Sequence, residues 1–153
     1  MAEETATATG GCMCGAVRYE AVGAPRDVGH CHCRSCRQHT GAPVVTLVVF
    51  KGGQVAFTKG SPRVYESSPG VERGFCERCG TSLSWERGTA DDSIIDVHIS
   101  TLDDPGAFVP SVHWHHSERI DWFEVADSLP RLHGDSPDEE PYHHGPVIDG
   151  PSG

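Results

Sequence analysis

Apolar positions along this chain come in short bursts and at period two, with little at helical spacing. AVRYEAV (16–22) and SIIDVHIS (93–100) alternate apolar and polar residues, as strands with one buried face do. PVVTLVVF (43–50) is a near-continuous apolar run closed by Gly52 and Gly53, the pattern of a strand buried on both faces. QVAFTKG, RVYESS, GFCERCG and TSLSWE follow at short spacing, each ended by turn residues. TLDDPG reads as a short helical turn or loop. VHWHH (112–116) puts Val112 and Trp114 on one face, with His113 and His115 on the other. ERIDWFEVADSLPRL (118–132) is the best candidate for a short helix or turn, packing Trp122 and Phe123. No internal repeat is present. The pattern predicts a mainly β domain over residues 10–132, preceded by a flexible arm (1–9) and followed by a disordered acidic tail (133–153).

Composition agrees with that picture. The 153 residues include 18 Gly and 11 Pro, which favours short strands and many turns. The core available to so loop-rich a chain is thin, and bound metal can supply the missing stability. The formal charge is −10, from 22 acidic against 12 basic residues. A surface this acidic makes a poor nucleic-acid footprint, since phosphate binding needs clustered Lys and Arg. The first residues, MAEETATATGG, lack the basic and apolar regions of a signal peptide, and no apolar run is long enough to span a membrane. The expectation is a soluble, cytoplasmic protein.

The seven cysteines carry the chemistry. They stand as Cys12-x-Cys14, Cys31-x-Cys33-x2-Cys36 and Cys76-x2-Cys79. An odd count, no export signal and such close spacing argue for metal ligands over disulfides. Zinc takes four thiolates at ~2.3 Å, so seven divide into four that close a structural site and three that leave a position open. Spacing alone leaves two divisions. Cys33 and Cys36 can join Cys76 and Cys79, leaving Cys12, Cys14 and Cys31. Alternatively, Cys12 and Cys14 join Cys76 and Cys79, leaving Cys31, Cys33 and Cys36 on one loop that can preorganise them. A neighbouring histidine, His30, His32 or His39, could also close the second site.

Together, GGCMCGAVRYEA, CHCRSCRQHTGAP, VERGFCERCGTSLSW, TLDDP and VPSVHWHHSERIDWFEVADSLPRL resemble the glutathione-dependent formaldehyde-activating enzyme family, whose domain also occurs in centromere protein V. The match runs in order from about residue 10 to 132. The resemblance implies a small zinc-stabilised β fold of the Mss-four-like, zinc-ribbon-related type with short helical turns. It implies two Zn2+ per chain: a structural site at Cys12, Cys14, Cys76 and Cys79, and a catalytic one at Cys31, Cys33 and Cys36. The implied activity is that of a carbon–sulfur lyase forming S-(hydroxymethyl)glutathione from glutathione and formaldehyde, or acting on a related thiol and aldehyde. A zinc that already holds three thiolates is a weak Lewis acid, so activation of an incoming thiol suits it better than carbonyl polarisation.

Such a reaction needs a general acid, and His32 and His113 are the candidates. His115, His116, His133, His143 and His144 read as solvated. Arg34, Arg37 and Arg73 are the nearest cations in sequence for the carboxylates of glutathione, against a plain reading as surface arginines. Trp85, Trp114 and Trp122 read as core. The competing function is a non-catalytic, zinc-stabilised protein-binding module; the acidic tail counts against a nucleic-acid or chromatin partner.

Overall fold

The computed structural model describes residues 7–89 and 92–138. The chain divides into two compact units, Met1–Val28 with Thr46–Val109, and Gly29–Val45 with Pro110–Gly153. Of the acidic tail, residues 139–153 lie outside the described residues, as do His143 and His144.

The first unit is mainly β, with three short 3-10 turns among its described residues. Strands β1 (Thr7–Gly11), β2 (Arg18–Val22) and β5 (Val55–Lys59) form an antiparallel sheet in the order β1-β2-β5. β1 therefore takes up Thr7, Ala8 and Thr9, which the sequence reading left in the arm. Strands β4 (Val45–Lys51), β9 (Ile94–His98), β8 (Ser82–Arg87), β7 (Val71–Phe75) and β6 (Arg63–Ser68) follow one another as antiparallel neighbours. The apolar bursts account for this arrangement. Val48 and Phe50 of β4, Leu83 of β8, and Ile95 and Val97 of β9 share one buried cluster with Val17, Tyr19 and Ala21. Tyr19 is buried with its hydroxyl satisfied by Thr101 Oγ1 at 2.7 Å, so its polar end costs little. Cys12 and Cys76 belong to the same cluster.

The second unit is held by a short parallel ladder. β3 (Asp27–Cys31) enters it, and β10 (His113–Trp114) pairs with β3 in the register His113↔His30 and Trp114↔Cys31. The chain returns beside β10 through a bridge between His113 and Arg131, with His113 N–H donating to Pro130 O and Leu132 N–H to His113 O. A helix, α1 (Arg34–Thr40), follows the cysteine loop. Cys33 caps it, accepting the Cys36 N–H on its sulfur at 3.3 Å, and Gly41 ends it in the left-handed conformation. The sequence reading missed α1 because cysteine is not among the residues that advertise a helix N-cap.

Residues 118–132 do not form the helix that was one of their two expected conformations. Beyond a 3-10 turn at His116–Glu118, the segment is turns and extended chain. Its carbonyls are satisfied from the side: Arg131 donates to Val125 O at 2.8 Å and to Leu129 O at 2.6 Å. Trp122 is not core. It is 76% exposed, because no helical face exists to carry it inward, whereas Trp114 is buried as expected. His115 and His116 are partly buried rather than solvated. His115 sits at φ 51 between Glu118 and Asp135. Backbone N–H of His115 also donates to Gly134 O, so the start of the tail packs on this turn.

Candidate metal centres

The seven sulfurs gather in two places. Cys12, Cys14, Cys76 and Cys79 converge within 4.8 Å of one another in the first unit, and Cys31, Cys33 and Cys36 do so in the second. None is in a disulfide.

Two tight turns build the four-sulfur cluster. The first joins β1 to β2. There Cys12 N–H donates to Val17 O, Gly15 N–H to Cys12 O, and Val17 N–H to the Cys12 sulfur at 3.2 Å. The second joins β7 to β8. Cys76 N–H donates to Thr81 O and Gly80 N–H back to Cys76 O, with Gly80 at φ 79 where a side chain would be strained. Thr81 links the turns, its hydroxyl accepting Met13 N–H at 3.1 Å while lying 3.1 Å from the Cys79 sulfur. Hydrogen bonds from the Thr81 hydroxyl and backbone hold the Cys79 thiol down, to about 5.

The donor set fits zinc. A tetrahedral ion ~2.3 Å from each sulfur would space the sulfurs ~3.8 Å apart. The Cys12–Cys14 and Cys14–Cys76 separations are 3.6 and 3.8 Å.

The three-sulfur cluster is built differently. Cys31 is the last residue of β3, Cys33 the cap of α1, and Cys36 lies on the buried side of that helix. Contact with Cys33 and Cys36, and then burial, push the Cys31 thiol well above its ordinary value. Three crowded thiols can ionise together only beside a cation, so this donor set too suits a metal. Among the described residues, no histidine nitrogen or carboxylate oxygen falls within the same reach of all three sulfurs.

The strand alternation sends the histidines elsewhere. His30 and His32 lie two residues apart, and His113 pairs with His30 across the ladder, so the rings meet on the side away from Cys31. His32 and His113 are both fully buried, not exposed loop residues. Their rings stack at 5.1 Å, and His32 Nε2 lies 2.8 Å from His113 Nδ1. His113 Nε2 is 3.0 Å from Asp127, and His116 closes against both rings. Burial, and then the neighbouring His113 and His116, bring His32 down to about 4. Sequence reasoning named His32 and His113 but not Asp127 or Arg131, whose only signal was acid and base in a turn.

The candidate anion-binding arginines separate as well. Arg37 is spent on structure, donating to His32 O at 3.0 Å and Glu118 O at 3.1 Å. Arg73 is in the first unit, 6% exposed and bonded to Ser67 Oγ, so it is no surface arginine. Arg34 is half-buried on α1, with its backbone N–H donating to Glu118 Oε1 at 3.4 Å.

A family model described as glutathione-dependent formaldehyde-activating enzyme matches residues 7–118, and the chain belongs to that family. It is 31% identical over 74 residues to an uncharacterized lyase of Schizosaccharomyces pombe, covering 48% of this chain and 53% of that protein. The chain thus spans about half the length of that relative. A putative glutathione-dependent formaldehyde-activating enzyme of Halomonas elongata is 28% identical over 126 residues, covering 76% of this chain and 79% of that one. In fold, the chain resembles a crystal structure of a Rhodobacter sphaeroides protein with a TM-score of 0.50 and 18% identity, covering 80% of this chain and 98% of the other. Among the described residues, no helix is long and apolar enough to cross a membrane.

Proposed function

We propose that this protein is a zinc-dependent carbon–sulfur lyase that joins a small thiol to an aldehyde, with glutathione and formaldehyde as the leading pair. The observation that carries the reading is a cluster of three cysteines, Cys31, Cys33 and Cys36, with no fourth protein ligand among the described residues. Family membership and the name of the Halomonas relative support the substrate pair, and the name of the Schizosaccharomyces relative supports a lyase. In this reading Cys12, Cys14, Cys76 and Cys79 hold a structural zinc. When bound to the three-cysteine cluster, zinc supplies a positive centre with an open position, which favours the thiolate form of an incoming thiol.

The chain's own residues do the rest. Cys31 and Cys33 are fixed by the end of β3 and the cap of α1, and Arg37 clamps the intervening His32 carbonyl. Holding thiol and aldehyde together at such a preorganised site contributes several kcal/mol toward the carbon–sulfur bond. A proton must also reach the new hydroxyl oxygen. His32 Nδ1 is buried, and alone among the four nitrogens of the His32–His113 pair it has no partner among the described residues. Any proton transfer by this pair runs through that atom, which must take up a proton before it can give one. Arg34 is the remaining cation beside the loop for a substrate carboxylate.

Cobalt substitution tests the reading. Adding glutathione to the cobalt-loaded protein should change the visible spectrum to that of four-sulfur coordination at the second site. An unchanged spectrum, with both sites loaded, overturns it.

A further inference from the structure

The histidines behind the cysteine loop form a directed chain whose order can be worked out atom by atom. Asp127 accepts on both oxygens. Its Oδ1 receives Arg131 Nη1–H at 2.5 Å and the Leu129 N–H at 3.0 Å, while His113 Nε2 faces Oδ2 at 3.0 Å and Oδ1 at 3.2 Å. Partial desolvation would raise this carboxyl, but hydrogen bonds from His113, and then from Arg131 and the Leu129 N–H, hold it well below the usual carboxylate range. An ionised carboxylate only accepts, so His113 must carry its proton on Nε2. Its Nδ1 is then a lone pair, and the contact at 2.8 Å requires His32 to donate from Nε2. That leaves His32 Nδ1 as a bare lone pair, consistent with its burial without a donor among the described residues. The opposite order would bury an N–H there with nothing to accept it, the costlier arrangement.

We propose that Asp127 is a positioning residue for the cysteine loop. Through His113 it fixes the tautomer and ring orientation of His32, and with them the backbone between Cys31 and Cys33. This role rests on the reading of Cys31, Cys33 and Cys36 as a metal site; the tautomer order does not. His30, His113 and Asp127 also lie within metal-binding reach of one another, but Arg131 already supplies the positive partner of that carboxylate.

Asp127→Asn discriminates sharply. Arg131 and the Leu129 N–H both donate to the Oδ1 position, so an asparagine there places its carbonyl oxygen at Oδ1 and its amide NH2 toward His113. With that NH2 in the nearer position to Nε2 and Oδ1 already accepting two donors, His113 is driven to accept on Nε2 and donate from Nδ1, and His32 must then carry its proton on Nδ1, where it has no acceptor among the described residues. Nitrogen-15 NMR of the metal-free chain should show both rings moving from the Nε2–H to the Nδ1–H form. Asp127→Glu, which restores an acceptor, should retain the original form. In the zinc-loaded chain, release from the three-cysteine cluster to a chelator should quicken roughly 10–100-fold in Asp127→Asn and stay near wild type in Asp127→Glu. Nδ1–H forms in the wild-type chain overturn the directed chain, and unchanged tautomers in Asp127→Asn overturn the control of His32 by Asp127 and with it the positioning role. Switched tautomers with unchanged zinc release overturn the positioning role. If the Asn variant fails to fold, Nε2–H forms in wild type and the Glu variant still uphold the order, and Nδ1–H forms overturn it. A wild-type chain that takes up no zinc at this cluster overturns the functional reading and the positioning role together, while leaving the tautomer order standing.

Discussion

The two cysteine clusters use the same ligand type in opposite ways. The four-sulfur cluster joins two turns more than sixty residues apart in sequence, and two of its members belong to the apolar core of the first unit. Its hydrogen bonds come from neighbouring backbone and from Thr81. The three-sulfur cluster comes from six consecutive positions, so it closes almost no loop. Behind it stand His30, His32, His113 and His116 with Asp127 and Arg131, a density of ionisable groups that a purely structural site does not need. A metal in the first cluster would crosslink a fold; a metal in the second would be presented by one.

That contrast can be broken by removing one sulfur from each cluster. Cys76→Ser takes a ligand from the core of the first unit, where metal binding and folding are one equilibrium. The expected result is loss of the cooperative thermal transition in circular dichroism, together with loss of zinc. Cys36→Ser should instead keep the β spectrum, lower bound zinc from about two ions to about one, and abolish glutathione binding. Global unfolding of Cys36→Ser would make both clusters structural.

Leu83→Ala sharpens the comparison from the apolar side. Leu83 is fully buried, and truncation should destabilise the protein by about 2–5 kcal/mol in urea titrations. Zinc release from the three-cysteine cluster should stay unchanged. A faster release would show that the site in the second unit draws on the core of the first.

The smallest effect is a pH dependence in the second unit. Burial alone would lower His115, but hydrogen bonds to Asp135 and Glu118 push it up to about 10, from 6.5. A folded-state value raised above the unfolded one stabilises fully below about pH 6.5 and loses that contribution as pH rises toward 10. His115→Asn, which tolerates the left-handed backbone at this position, should remove about 1–2 kcal/mol at pH 6 and almost nothing at pH 10. Denaturant midpoints of both proteins at the two pH values test this. An equal loss at both would mean that the ion pairs contribute nothing.

Much of the molecule was legible in the amino-acid order because its signals are local. Alternation in RYEAV and IIDVH, the apolar run VTLVVF and the glycine after Cys79 each state their own conformation. Cysteine count and spacing pointed to candidate metal ligands for the same reason: a tight turn sets the separation of its own two sulfurs. In the segment 118–132 the helical option and the burial of Trp122 fail, because the Arg131 side chain takes the carbonyls of Val125 and Leu129, a side-chain-to-backbone pairing that hydrophobic periodicity does not report.

By itself, then, the sequence determined a β-rich chain with seven candidate ligands and a family resemblance that runs through them. Tertiary structure decided which four sulfurs meet, since Cys12 and Cys76 are brought together by strand pairing and not by neighbourhood. It decided that His32, His113 and Asp127 meet on the side of the strand opposite Cys31, because a parallel ladder fixes the register His113↔His30. Ligand type is a property of a residue. The face on which it stands is a property of the register, and register is settled only when strands pair.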